Sequence, residues 1–224
     1  MTMSGDLRLI LFDVDGTLAD SQGAITSAMR ATFDGVGLAA PSRAEILSIV
    51  GLSLPLAIAE LAPTLDASVQ AELVEGYKSA YKSARLAAGA GHSPLYPGAA
   101  EVLAELNAVP EYLLGVATGK SQRGLDALIE AHELRCFVTR QCADHHPSKP
   151  HPSMILRAMA DTGVAAAHTV MIGDTSFDID MGRAAGVRTI AVNWGFHPAD
   201  QLGADHIIDS FADLAPLLQH IWKD

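Results

Sequence analysis

The sequence predicts an α/β fold: a parallel sheet with helices on both faces, interrupted just after its first strand by a small all-helical insert. Three observations carry this. Short apolar runs alternate with amphipathic stretches, the pattern of strands joined by right-handed helical crossovers. Residues of about 20–90 break that alternation, because they contain no convincing strand. Three of the apolar runs end on acids or a threonine, as strands do when they deliver side chains to one edge of a sheet.

The first strand is LRLILF (7–12), closed by Asp13 and the turn through Gly16. The insert follows. In DASVQAELVEGYKSAYKSARLA, Val69, Leu73, Tyr77 and Tyr81 fall at four-residue intervals on one helical face. GAGHSPLYPG (89–98), rich in Gly and Pro, is its return linker. Strands are then expected at YLLGVA (112–117), HTVMIG (168–173) and RTIAVN (188–193). Helical periodicity marks 121–132, 152–163 with Pro152 in its first turn, and FDIDMGRAAG, which stops at Gly186. The expected division is a Rossmann-like core of residues 1–19 and 92–224, and a helical cap of residues 20–91.

With 224 residues the chain can bury one substantial core plus a small insert. Its formal net charge of −11 disfavours a nucleic acid partner, which would need clustered Lys and Arg. No apolar run approaches membrane-spanning length, so the protein is expected in the cytoplasm, as a monomer or homodimer. Cys136 and Cys142 lack the spacing of a disulfide framework or zinc ribbon. Cys142, His145, His146 and His151 cluster without any recurring zinc spacing, and ADHHPSKPHP reads as a Pro-broken loop.

DVDGT (13–17) poses the chemical question, because two carboxylates pressed against an apolar strand repel unless a cation sits between them or one is protonated. An EF-hand loop starting at Asp13 fails at both Leu18 and Ala24, where it would need Gly and Glu. The acids must therefore be completed from elsewhere. If the strands are parallel, Asp13 and Asp15, Thr118 in VATGKS, and Asp174 and Asp178 in MIGDTSFD converge on one crevice, joined by Lys149 from the SKPHP loop.

In these residues the chain resembles the haloacid dehalogenase superfamily, whose four ordered motifs match DVDGT (13–17), Thr118, Lys149 and GDTSFD (173–178). The helical cap between the first and second motifs is placed as in the subfamily that includes phosphoglycolate phosphatase. Two positions depart from the pattern: Gly119 stands where many relatives have Asn, and Gly182 where Ala is usual. The resemblance implies a Mg²⁺-dependent phosphatase acting on a small phosphorylated metabolite, with 2-phosphoglycolate the leading substrate.

On this resemblance Asp13 is the nucleophile that forms an aspartyl-phosphate. Mg²⁺ would be held by Asp13, Asp174 and the Asp15 carbonyl, with Asp178 holding a metal-bound water or orienting Lys149. The Asp15 carboxyl is then free to protonate the leaving alkoxide and later to deprotonate water. Thr118 is expected on the transferring phosphoryl oxygens, and Lys149 neutralises Asp13 and the phosphate. Thr17, Gly119, Lys120, Gly51 and Ser53 are expected around the substrate, with Lys120 following Thr118 too closely to cross the site easily. The alternatives within this fold are a phosphosugar mutase, a pyrophosphatase or a nucleotidase, and outside enzymology a phosphate- or Mg²⁺-binding module.

Overall fold

The structure is a computed structural model and describes residues 7–223. β1 (Arg8–Phe12) occupies the middle of a parallel sheet, which explains why it reads as an unbroken apolar run: strands covered on both faces have no solvent side to make polar. Ile10 and Phe12 enter one layer of the core while Leu9 and Leu11 enter the other, the two-residue alternation of a pleated strand. All four are fully buried. Each stabilises the fold by about 1.5–3 kcal/mol through removal from water.

The other strands are β2 (Tyr112–Thr118), β3 (Phe137–Cys142), β4 (Thr169–Gly173), β5 (Arg188–Val192) and β6 (His206–Ile208). Among the described residues they form one six-stranded parallel sheet in the order β3-β2-β1-β4-β5-β6. Phe12 is in register with Val116 of β2 and Ile172 of β4, so the residues that follow these strands emerge side by side. The strand order reverses between β1 and β4, and open α/β sheets bind ligands in the crevice at such a point.

Between the strands run α5 (Ala99–Asn107), α6 (Gln122–Ala131), α7 (Ser153–Thr162), α8 (Ser176–Ala184) and a closing α9 (Leu214–Ile221). Residues of α5, α6 and α9 cover the Phe12 face, and those of α7 and α8 the Leu11 face. Two strands escape the sequence pattern. β3 carries exposed Val138 and Arg140 as an edge strand, and β6 is only three residues long.

The insert comprises α1 (Gln22–Gly35), α2 (Arg43–Ser48), α3 (Leu54–Leu61) and α4 (Ala67–Ala88). It has an apolar centre of its own, with Met29, Ile46, Ile58 and Leu73 all buried. The four-residue stripe on α4 belongs to it: Leu73 is fully buried, and Tyr77 and Tyr81 stack at 5.7 Å beyond it. Where the chain leaves and re-enters the core, the two crossings pair. The Asp20 N–H donates to Pro94 O at 2.8 Å, and Tyr96 N–H to Leu18 O at 2.9 Å.

No helix among the described residues is long and apolar enough to cross a membrane. The His and Cys residues of 142–151 are partly built into structure. His146 bonds Ser153 Oγ and Gln141 Oε1, each at 2.8 Å, and burial pushes the Cys142 thiol up.

Candidate active site

Asp13, Thr118 and Asp174 lie at the carboxyl ends of β1, β2 and β4, all three buried. Gly16 makes this proximity possible. Its φ of +88° suits only glycine, and a Cβ there would meet Asp174 Oδ2 at 2.2 Å. Turn and close approach thus explain the glycine together.

Lys149 is the electrostatic centre of this end. Its Nζ is 2.8 Å from Asp13 Oδ1 and 2.5 Å from Asp178 Oδ1, with no solvent exposure on any of the three side chains beyond 1%. Burial alone favours the neutral amine, but the charges of Asp13 and Asp178 outweigh it and hold the ammonium above its ordinary range. Asp178 reaches the site because it also caps α8: its Oδ2 accepts from the Thr175 N–H at 3.1 Å and hydroxyl at 2.7 Å. Both Asp178 oxygens are thereby engaged, one on Lys149 and one on the helix start.

Asp174 is fixed on both oxygens as well. The Thr17 hydroxyl donates to Oδ1 at 2.8 Å and the Phe196 N–H to Oδ2 at 2.9 Å. Thr17, expected beside the substrate, instead spends its hydroxyl on this carboxylate. Burial raises the Asp174 carboxyl, with the neighbouring Asp178 and Asp13 charges adding to it.

Asp13 differs from these. Both its oxygens are buried, and neither receives an aligned hydrogen bond despite the ion-pair contact with Lys149. Burial foremost pushes its carboxyl up to about 7, against the opposing pull of Lys149. Oxygen atoms of Asp13, Asp174 and Asp178 approach within 4.8 Å of one another. Two orphaned oxygens in an all-carboxylate cluster fit a hard divalent cation such as Mg²⁺, which takes oxygen ligands and retains waters. The donor set suits zinc less well, for want of thiolate or imidazole.

Asp15 belongs to a second arrangement. Lys120 Nζ donates to its Oδ1 at 2.7 Å and Oδ2 at 2.9 Å, and also to Tyr81 Oη at 3.2 Å. Lys120 therefore does cross the site, to Asp15 rather than Asp13, because its chain extends along the β2–α6 turn towards the insert. Burial opposes its charge, but Asp15 foremost keeps the ammonium above its ordinary range. Tyr81 Oη lies 3.3 Å from Ser93 Oγ, which lies 3.2 Å from His92 Nδ1. Sequence reasoning placed Tyr81 on a core stripe only. The signal that it does more is its position beyond Leu73, where the stripe outruns the insert's buried centre.

Asp13, Asp15, Thr118 and Lys120 face a cavity of about 340 Å³ between the sheet edge and the insert. Gly51 and Ser53, from the α2–α3 junction, line it from above. The Ser53 N–H donates to Ser148 Oγ at 2.8 Å, docking this junction on the loop that carries Lys149. Gly119 is packed against the same junction: a Cβ there would stand 2.5 Å from Gly51 O and 2.8 Å from Leu52 O. At Gly182, a Cβ would meet Thr189 Cγ2 at 2.5 Å, so both departures from the family pattern sit where space is tight. Asp180 lies outside the site, in an exposed pair with Arg183.

A carboxylate with unsatisfied oxygens, two fixed carboxylates, a buried ammonium and a threonine hydroxyl beneath a covered cavity define a phosphoric monoester hydrolase. The chain belongs to the haloacid dehalogenase-like hydrolase family, whose profile matches residues 10–192. It is 36% identical over 214 residues to the probable phosphatase IndB of Dickeya dadantii, covering 92% of this chain and 91% of that one. It is 31% identical to phosphoglycolate phosphatase of Chromobacterium violaceum, covering 96% and 97% respectively. A haloacid dehalogenase-like family hydrolase from Streptococcus pneumoniae has the same fold at a TM-score of 0.81 and 27% identity, over 95% of this chain and 99% of that one.

Proposed function

We propose that the protein is a Mg²⁺-dependent phosphatase of a small phosphorylated metabolite, with 2-phosphoglycolate the best single candidate, acting through an aspartyl-phosphate on Asp13. The observation that carries this reading is Asp13 itself: buried, short of hydrogen-bond donors, and paired with Lys149 at the cavity floor. The similarity to a phosphoglycolate phosphatase supports the substrate choice.

Asp13, Asp174 and the Asp15 carbonyl would hold the metal, while Asp178, its oxygens engaged by Lys149 and the start of α8, orients Lys149. Bound there, Mg²⁺ would offset charge on the phosphoryl oxygens and keep Asp13 ionised. Asp13 supplies the attacking oxygen, and Lys149 beside it neutralises charge that would otherwise repel the incoming phosphate. The Thr118 hydroxyl, buried at the end of β2, binds a phosphoryl oxygen. Asp15 carries the proton. Its carboxyl protonates the leaving alkoxide and then takes a proton from the water that cleaves the phosphoenzyme. The insert excludes bulk water from the cavity during the first step.

The test is phosphate release from a panel of phosphomonoesters, sugar phosphates, nucleotides and pyrophosphate, with Mg²⁺ or with EDTA, using Asp13→Asn as the blank. Mg²⁺-dependent release that disappears in the variant is the expected result. Release that persists in EDTA, or in Asp13→Asn, overturns the metal or the nucleophile respectively. A cytoplasmic setting suits a substrate of this kind.

A further inference from the structure

The cavity is lined by Lys78, Lys82, Arg85, Lys120 and Arg123 against Asp13, Asp15 and Asp144, the last of which accepts from the Gln122 N–H at 2.9 Å. Lys149 and Lys120 are spent on carboxylates, and Lys78 pairs with Glu75 at 2.7 Å. Three further cations line the same cavity: Lys82 and Arg85 on α4, and Arg123 in the first turn of α6. Among the described residues none of the three has a carboxylate within ion-pair distance or a side-chain hydrogen bond.

Lone cations occur elsewhere too: among the described residues, exposed Arg30, Arg135 and Arg140 have no acid within ion-pair distance. What sets Lys82, Arg85 and Arg123 apart is that all three line one cavity, in a chain whose 26 Asp and Glu outnumber its 15 Lys and Arg. Outside the cavity, Arg157 and Arg183 pair with aspartates at 2.8 and 2.9 Å. Unpaired cations gathered from both sides of one cleft indicate a group that arrives from outside. Lys82 and Arg85 are three residues apart on α4 and so share a face, while Arg123 opposes them from the core. The guanidinium forks suit the planar or tripod oxygens of carboxylate or phosphate.

We propose that Lys82, Arg85 and Arg123 form a subsite for a second anionic group on the substrate, so that the preferred phosphomonoester has a leaving group bearing a carboxylate or a second phosphate. The proposal rests on the phosphatase reading for the Asp13 end of the cavity. A cavity of about 340 Å³ has room for a leaving group larger than two carbons. An anion held between α4 and α6 also ties the insert to the core, so binding of the right leaving group and covering of the cavity become one event. General attraction of anions by surface charge would act differently, raising association of every phosphate ester alike and fading with salt.

The experiment compares kcat and KM on two matched pairs, 2-phosphoglycolate against phosphoethanol and 6-phosphogluconate against glucitol 6-phosphate, with pyrophosphate as the phosphate-bearing arm. The enzymes are wild type, the Arg85→Gln/Arg123→Gln double variant, and Arg157→Gln as a charge control outside the cavity. The acidic member of at least one pair, or pyrophosphate, should be preferred by about tenfold or more in kcat/KM, chiefly through KM. The double variant should lose about tenfold more on that substrate than on the neutral esters phosphoethanol and glucitol 6-phosphate, while Arg157→Gln behaves as wild type. Equal losses on acidic and neutral esters, or no preference in wild type, would overturn the subsite.

If no ester is hydrolysed, calorimetric binding of the same compounds to Asp13→Asn with Mg²⁺ separates the two readings. Tighter binding of the acidic member, lost when Arg85→Gln and Arg123→Gln are added, keeps the subsite while the phosphatase reading falls. Binding without that difference removes the subsite.

Discussion

Lys149, sealed behind the cavity floor, and Lys120, on the cavity wall, hold their carboxylates by different means. Lys149 is sealed in the core, with Asp13 and Asp178 brought to it by the ends of β1 and the start of α8. Lys120 grips Asp15 while its third partner, Tyr81, comes from the insert. The carboxylates of the phosphoryl end are thus delivered by core elements, β1, β4 and α8, whereas the end that handles the proton depends on where the insert sits. A single floor can then serve many leaving groups, and the wall that meets them can change without disturbing the nucleophile.

The most damaging way to probe this contrast is Asp13→Asn, which removes the attacking oxygen at the sheet end. Turnover should fall by roughly 10⁴-fold or more, with far-ultraviolet circular dichroism unchanged. Wild-type turnover in that variant would move the nucleophile elsewhere. Next comes Lys149→Met, which leaves two buried carboxylates facing each other without a cation. Breaking a buried pair in this manner costs about 3–5 kcal/mol, measurable by urea unfolding. The corresponding Lys120→Met change, in a side chain with 8% exposure and an anion that is less enclosed, should cost clearly less. Equal losses would erase the distinction between the two ends.

Metal and pH both act at the sheet end. Burial lifts the Asp13 carboxyl from 3.8 to about 7, so without metal the folded chain keeps a proton that the unfolded chain sheds near 3.8. The stability this provides is complete below about 3.8 and is lost as pH rises towards 7. Mg²⁺ should reverse that loss at neutral pH, by about 2.7 kcal/mol at a hundredfold excess over its dissociation constant. Thermal unfolding with Mg²⁺ and with EDTA at pH 5 and pH 7.5 checks both, and a Mg²⁺ effect no larger at the higher pH would contradict the assignment. The smallest effect is expected from Tyr81→Phe, which deletes one acceptor of Lys120. About 1 kcal/mol, or fivefold in kcat/KM, is expected. Unchanged kinetics would detach the insert from Asp15.

The same contrast separates what could be read in the sequence from what could not. The sheet end was legible because its residues follow apolar runs. Asp13, Thr118 and Asp174 follow or end strands whose burial on both faces leaves a continuous hydrophobic signature. β3 was hidden by its exposed Arg140 and β6 by its length. The insert wall was harder to read because long side chains decide it. Nothing in TGKS says that Lys120 turns towards Asp15, and Thr17 looks like any turn threonine until Asp174 folds against it. Spacing gives the direction of a strand, but it does not give the destination of a flexible side chain.

The paired crossings at Asp20–Pro94 and Leu18–Tyr96 have a consequence for how such a protein can change over time. Because exit and return lie side by side, everything between them forms a cassette whose removal or exchange leaves a gap of almost no length to close. The apolar centre of residues 22–88 travels with the cassette, so little core surface is stripped when it goes. A lineage could therefore trade one leaving-group wall for another by recombination at a single point, keeping Asp13 and its neighbours in place.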